Sequence, residues 1–282
     1  EETLIIVETT VPPGTCERIV FPIFKEAFKN RNLDITKLYL AHSYERVMPG
    51  PNYIDSIQNF YRVYSGINDY SSKAVESFLT TIISTKNYPL TKLAHTNATE
   101  IAKVLENSYR AMNIAFIVEW SRFAEEAGVN LYDIVKAIRM RDTHSNMMLP
   151  GIGVGGYCLT KDPLLASWSR QNLIRGNEGL KQSEEAVSIN DKMPVDAFKF
   201  LKSFFELDSL SAMKIQLLGV SYLPNVGDTR FSPVEILYRC LKNEGCYIVL
   251  HDPYVSYWEE LELEVNKDYD SLNNEINIVI IS

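Results

Sequence analysis

Short apolar runs separated by helical repeats occupy both ends of the chain, and a helix-only stretch lies between them. Near the N-terminal end, Leu4–Val7, Leu38–Ala41 and Tyr61–Tyr64 are strand-like runs. Helical periodicity fills the intervals at about 17–29 and 72–83. This alternation predicts an α/β unit, a sheet with helices on its faces. From Asn97 to Ala127 neither glycine nor proline interrupts the pattern, which predicts a helix of roughly 45 Å. Asn97 is the expected N-cap, with Glu100 reaching back to it. Gly128 suits the C-terminal cap, Asn130 opens the next helix, and a further long helix is expected over 179–205.

The closing third returns to the first texture. Lys214–Val220, Tyr247–Asp252 and Ile276–Ile281 read as strands, and Pro233–Asn243 as a helix. A chain that opens and closes on strands reads as two α/β units, each cut short, joined by long helices. The expected boundaries are 1–96, 97–207 and 208–282. Helices this long and apolar on more than one side usually pack against another chain or span between domains.

Composition narrows the function classes. A net charge of −8 over 282 residues argues against broad nucleic-acid or anionic-membrane binding. No apolar run approaches the length of a membrane span, and the opening strand-like run is unlike a signal peptide. The cysteines, Cys16, Cys158, Cys240 and Cys246, form no paired framework, which fits a reducing cytoplasm. The histidines, His42, His95, His144 and His251, are scattered, and no metal site is expected.

One motif invites a wrong conclusion. Gly151–Gly156 satisfies GxGxxG, yet such a dinucleotide turn must follow a buried strand. Residues 140–150 are polar and irregular. The remaining readings are a loop with no task, or a glycine loop that admits a bulky substrate and presents Cys158 and Asp162. A thiolate attacks aldehydes and also leaves readily, so Cys158 suits a covalent oxidation intermediate. A helix is expected to begin near Lys161-Asp162-Pro163, where its dipole favours that thiolate. Lys103 and Asn107, four apart on one helix face, suit stabilisation of a developing oxyanion. Thr9-Thr10 through Gly14 follows a strand end, the edge where α/β folds bind ligands. Glu45 follows another.

Taken in order, ETTVPPGT, SYERVMPG, EIAKVLENSYRAMNIAF, GVGGYCLTKDP and LLGVSYLPNVGDTRFSP resemble motifs of the UDP-glucose/GDP-mannose dehydrogenase family across the chain. The resemblance implies part of an NAD-binding Rossmann-like domain, a helical dimerising centre and part of a Rossmann-like UDP-sugar domain. The family's N-terminal GxGxxG half and its last sheet strands are expected to lie outside this sequence. It implies two hydride transfers to NAD, oxidising a sugar C6 alcohol to a carboxylate through a Cys158 thioester, as in cell-surface polysaccharide synthesis. It matches Asp162 to the residue organising the attacking water and Thr10 to the threonine holding that water. Lys103 and Asn107 match the pair on the reacting oxygen, and Glu45 the carboxylate of the substrate and base motif. Glu45, Arg46, Val47, Lys103, Asn107, Gly153, Gly155 and Gly156 are expected at the substrate. Thr9, Thr10, Lys161 and Arg230 are expected at the cofactor. A homodimer through the 97–127 helix is implied. ERVMPG is more similar to the N-acetylhexosamine branch than to the glucose branch. UDP-glucose is the alternative substrate, and a nucleotide-sugar-binding dimer without turnover the alternative of another class. Tyr44 stands where the family has proline, and Leu223 where it has a substrate-contacting lysine.

Overall fold

A computed structural model describes residues 3–47, 50–205, 209–267 and 275–282. Met48 and Pro49 of the ERVMPG motif lie outside the described residues. In chain order the elements begin with β1 (Thr3–Val7), α1 (Phe21–Asn30), β2 (Leu38–His42), α2 (Tyr53–Gln58), β3 (Val63–Gly66), α3 (Asp69–Leu79) and β4 (Thr91–Lys92). Four helices follow: α4 (Thr96–Glu126), α5 (Leu131–Ile138), α6 (Tyr157–Asn172) and α7 (Lys181–Phe204). Then come β5 (Lys214–Leu218), α8 (Pro233–Asn243), β6 (Tyr247–His251), β7 (Tyr257–Trp258), β8 (Leu263–Glu264) and β9 (Ile278–Ile281). The described residues form two compact units, Glu1–Ser108 with Asp162–Glu184, and Tyr109–Lys161 with Glu185–Ser282.

The first unit is built on a sheet of order β1-β2-β3-β4. β1 and β2 are parallel, as are β3 and β4, but β2 and β3 run antiparallel. Antiparallel pairing brings β3 back into the sheet from the end where β2 left, and the connection 43–62 carries the six-residue α2. Ala41, Tyr64, Val75, Leu79 and Ile83 form its apolar core, sealing α3 onto the sheet.

The second unit holds a parallel three-stranded sheet, β6-β5-β9, whose register runs Lys214 to Tyr247 and Ile215 to Ile278. Leu217, Val234, Leu237, Leu241 and Trp258 close its core. A smaller cluster, Ile117, Ala124, Leu131 and Val135, packs the end of α4 against α5. Gly128 (φ +69°) turns the chain between them, with Val129 N–H returning 2.9 Å to the Ala124 carbonyl. Asn130 caps α5 through Tyr132 N–H at 3.0 Å. No helix among the described residues is long and apolar enough to cross a membrane.

Three expectations shift. α4 begins at Thr96, so Asn97 is inside the helix and its amide donates to Glu17 at 3.0 Å instead of capping. Glu100 does not reach back to a cap, because two distant backbone N–H groups claim its carboxylate. α6 begins at Tyr157, ahead of Lys161-Asp162-Pro163, and Pro163 sits within it. Gly156 at φ +75° supplies the turn into the helix, and Thr160 Oγ1 donates 2.8 Å to the Gly156 carbonyl.

Candidate active site

The first three turns of α4 bury a polar face. An ordinary surface helix hides its apolar stripe and shows its charges. Here Thr96, Thr99, Glu100, Lys103 and Asn107 are buried, while Ile101, Leu105 and Tyr109 are exposed, Leu105 by 62%. Spacings of three and four place the polar five on one face. Burying charge is costly unless each group is met by a partner, and the partners identify the site.

Thr99 Oγ1 lies 2.8 Å from His42 Nδ1 and 2.7 Å from Ser65 Oγ, linking the ends of β2 and β3 to the start of the helix. Burial pulls the His42 pKa down to about 4, so the ring is neutral near pH 7. Glu100 accepts from Gly14 N–H at 2.6 Å and Cys16 N–H at 2.8 Å. It thereby fixes the turn after β1 against the helix. Burial raises the Glu100 pKa despite those bonds, and burial followed by the Glu100 charge raises that of Cys16.

One turn on, Lys103 Nζ donates 3.0 Å to the Glu45 carbonyl and lies 3.6 Å from the Glu45 carboxylate. Another turn on, Asn107 Nδ2 donates 2.6 Å to Asp162, which is fully buried. Lys103, Asn107, Glu45 and Asp162 are thus gathered in the first unit as two hydrogen-bonded pairs on successive turns. Glu45 Oε2 also accepts from Val47 N–H at 2.6 Å, curling its loop. Arg46 donates to the Tyr61 carbonyl at 2.9 Å and pairs with Glu106 at 3.0 Å. Thr9, Glu45, Arg46, Val47 and Phe60 line a cleft of about 440 Å³ in this unit, and Thr10 is not among its lining residues. Sequence reasoning missed Thr99, His42 and Ser65; no local signal marks three polar residues so far apart.

Cys158 and the glycine loop belong to the second unit. Cys158 is exposed in the first turn of α6, where free N–H groups favour negative charge. Lys161 and Asp162 follow on the same helix, Asp162 one turn beyond the thiol. No strand precedes the glycine run, since residues 145–156 are turn and coil. The close approach there is to the protein itself. A Cβ on Gly153 would meet Pro233 at 2.1 Å, on Gly155 Tyr222 at 2.3 Å, and on Gly156 Tyr222 at 2.8 Å. Gly155→Ala is therefore expected to destabilise by about 3 kcal/mol in chemical denaturation. Gly151→Ala, with nothing within 4 Å of its Cβ, should cost less than about 0.5 kcal/mol. Equal effects would refute this packing role. Arg230 is held by Asp228 through Nε at 2.9 Å and Nη2 at 2.7 Å, and stacks 5.4 Å over Tyr157. That pairing lowers the Asp228 pKa. Leu223 is exposed.

Residues 97–192 match the central domain of the UDP-glucose/GDP-mannose dehydrogenase family, and residues 216–282 its UDP binding domain. The chain belongs to this family. Within the family its similarity falls to the N-acetylhexosamine branch. A Methanocaldococcus jannaschii protein named UDP-N-acetyl-D-mannosamine dehydrogenase is 33% identical over 89% of this chain and 53% of its own length. A Methanococcus vannielii protein of the same name is 30% identical over 100% of the chain and 60% of its own. The chain thus spans about half to three fifths of these curated relatives. Among solved structures, a UDP-D-ManNAc dehydrogenase from Pyrococcus horikoshii matches with TM-score 0.79 at 27% identity, covering 99% of this chain and 62% of that one. An NDP-N-acetyl-D-galactosaminuronic acid dehydrogenase from Methanosarcina mazei Go1 matches with TM-score 0.84 at 26% identity, covering 99% and 59%.

Proposed function

We propose that the protein containing this chain is an NAD-dependent UDP-sugar 6-dehydrogenase acting on a UDP-N-acetylhexosamine, UDP-N-acetyl-D-mannosamine first. The observation that carries this reading is the buried polar face of α4, with Lys103 met by Glu45 and Asn107 by Asp162. Apolar residues of similar volume often stabilise a fold as well as a buried ion pair or better, so these polar groups on adjacent turns support a chemical role. The named relatives support the sugar class.

The chemistry follows from residue types. Lys103 and Asn107 offer N–H donors to the oxygen at C6, stabilising it as an alkoxide without a metal. Cys158 attacks the resulting aldehyde, and its thiohemiacetal is oxidised to a thioester. Asp162 orients water for hydrolysis, with Thr10 holding that water and Glu45 serving as base. NAD, when bound, accepts one hydride in each oxidation. Thr9 and Thr10, just past the carboxyl end of β1, stand where α/β folds hold such a ligand. Lys161 and Arg230 are proposed as further cofactor contacts, Arg230 sharing its guanidinium with Asp228. Gly153, Gly155 and Gly156, besides packing on Tyr222 and Pro233, present backbone beside Cys158. Arg46 and Val47 complete the substrate loop with Glu45.

The proposal extends to the three-part organisation 1–96, 97–207 and 208–282, and to a homodimer. The exposed Leu105, Tyr109, Phe116, Trp120 and Phe123 on α4 support the latter as a surface awaiting a partner. The spacing of Cys16, Cys158, Cys240 and Cys246, with no CxxC pair, accords with a reducing cytoplasm. The test is NADH release by the intact protein across UDP-N-acetylmannosamine, UDP-N-acetylglucosamine, UDP-N-acetylgalactosamine and UDP-glucose. Two NADH per N-acetylated sugar is the expected result. Preference for UDP-glucose overturns the branch, and tight UDP-sugar binding with no NADH overturns the enzyme in favour of a binding protein.

A further inference from the structure

Tyr44 departs from the family's proline, and the structure gives the departure a task. Its side chain is 1% exposed, at the floor of the Glu45 loop. Lys103 Nζ lies 5.5 Å from the centre of its ring and the Arg46 guanidinium carbon 5.3 Å. Its hydroxyl accepts from Arg46 Nη2 at 3.2 Å, and its carbonyl accepts from Arg62 Nη1 at 2.7 Å. Three cations therefore converge on one buried residue. The carboxylates that answer them are Glu45 for Lys103, Glu106 for Arg46 and Glu8 for Arg62.

We propose that Tyr44 is a positioning residue that holds the Lys103 ammonium over its ring while its hydroxyl anchors Arg46. An ammonium within about 6 Å of a tyrosine ring centre is drawn to the electron-rich face, most strongly where water is excluded. Lys103 is buried, and among the described residues its oxygen partners are the carbonyl and the carboxylate of Glu45. The ring limits the wandering of a flexible four-carbon side chain whose nitrogen must meet a substrate oxygen to within a fraction of an ångström. Proline, the residue usual at this position in the family, offers no such face. Tethering Arg46 on the same ring also fixes the loop on the other side of Glu45.

This inference rests on the role proposed for Lys103, and two measurements separate the ideas. In intact protein carrying lysine labelled with ¹³C at the ε carbon, the Lys103 ε-CH₂ signal is assigned by its loss in Lys103→Arg. Ring current should displace it upfield of the other lysines. The displacement should persist in Tyr44→Phe and vanish in Tyr44→Leu. An undisplaced signal in the unsubstituted protein overturns the placement, even if Tyr44→Leu fails to fold. In turnover, Tyr44→Leu is expected to lower kcat about tenfold while moving KM less than about twofold, the mark of misplacement rather than lost binding. Tyr44→Phe should restore kcat to within about threefold. An unchanged kcat in folded Tyr44→Leu overturns the positioning role. If the unsubstituted protein turns over no UDP-sugar, the functional reading falls, and the ring-current measurement still decides whether Tyr44 holds Lys103.

Discussion

Cys158→Ser is expected to reduce carboxylate formation about a thousandfold or more, equivalent to at least about 4 kcal/mol of lost transition-state stabilisation. The first oxidation, alcohol to aldehyde, needs a stabilised oxygen and a hydride acceptor but no nucleophile. The second needs a group that adds to the aldehyde, keeps a hydride to lose, and then leaves as water attacks. Sulfur does all three near neutral pH, because a thiol ionises far more readily than an alcohol and a thioester is more reactive than an ester. The variant should therefore release at most one NADH per sugar where the parent releases two. Cys158 is exposed and serine nearly isosteric, so stability should move by less than about 0.5 kcal/mol. Affinity for the nucleotide sugar, read by calorimetry, should stay within about threefold of the parent. Undiminished production of two NADH per sugar would remove Cys158 from the mechanism.

The sequence exposed the elements better than their meeting points. Strand and helix order was legible because apolar runs such as Ile215–Leu218 and the uninterrupted 97–127 stretch are local signals. Helix starts were less legible. Asn97-Ala-Thr-Glu100 has the form of a capping box, but Glu100 is drawn to Gly14 and Cys16, more than eighty residues away. Lys161-Asp162-Pro163 has the form of a helix opening, but Gly156 turns the chain earlier. The apolar neighbours of Lys103 divided unexpectedly: Val104 is buried, whereas Ile101 and Leu105 face outward. Periodicity reports that a helix has two faces. It assumes the apolar one is hidden, and α4 reverses that wherever its polar face has been matched group by group. The crowding of Gly153 and Gly155 against Tyr222 and Pro233 was likewise invisible, since the neighbours come from some seventy residues further along.

That matching makes the loss of Glu100 costly to stability. Glu100→Ala removes the acceptor of two buried N–H groups, Gly14 at 2.6 Å and Cys16 at 2.8 Å. Each donor left unpaired costs about 1–3 kcal/mol, and the emptied space adds to that. Recovering the desolvation cost of a buried carboxylate works in the opposite direction, but it is one group against two donors. The expected net loss is about 3 kcal/mol in denaturant melts. The pH dependence separates these terms. Burial raises the Glu100 pKa, so the native state holds this proton more tightly than the unfolded chain does. Its contribution to stability is therefore fully present below the ordinary glutamate value, declines as pH rises through the raised native value, and is flat above it. Glu100→Gln keeps one acceptor oxygen, faces the other N–H with an amide that cannot accept, and carries no titrating proton. It should lose about 1–2 kcal/mol and lack that decline. Stability of the parent rising with pH relative to Glu100→Gln would reverse the assigned sign, and a loss below about 1 kcal/mol in Glu100→Ala would mean that water replaces the carboxylate. The functional consequence follows from spacing: Glu100, Lys103 and Asn107 are successive turns of one face, so releasing the first from the Gly14 turn loosens the frame on which the other two are set.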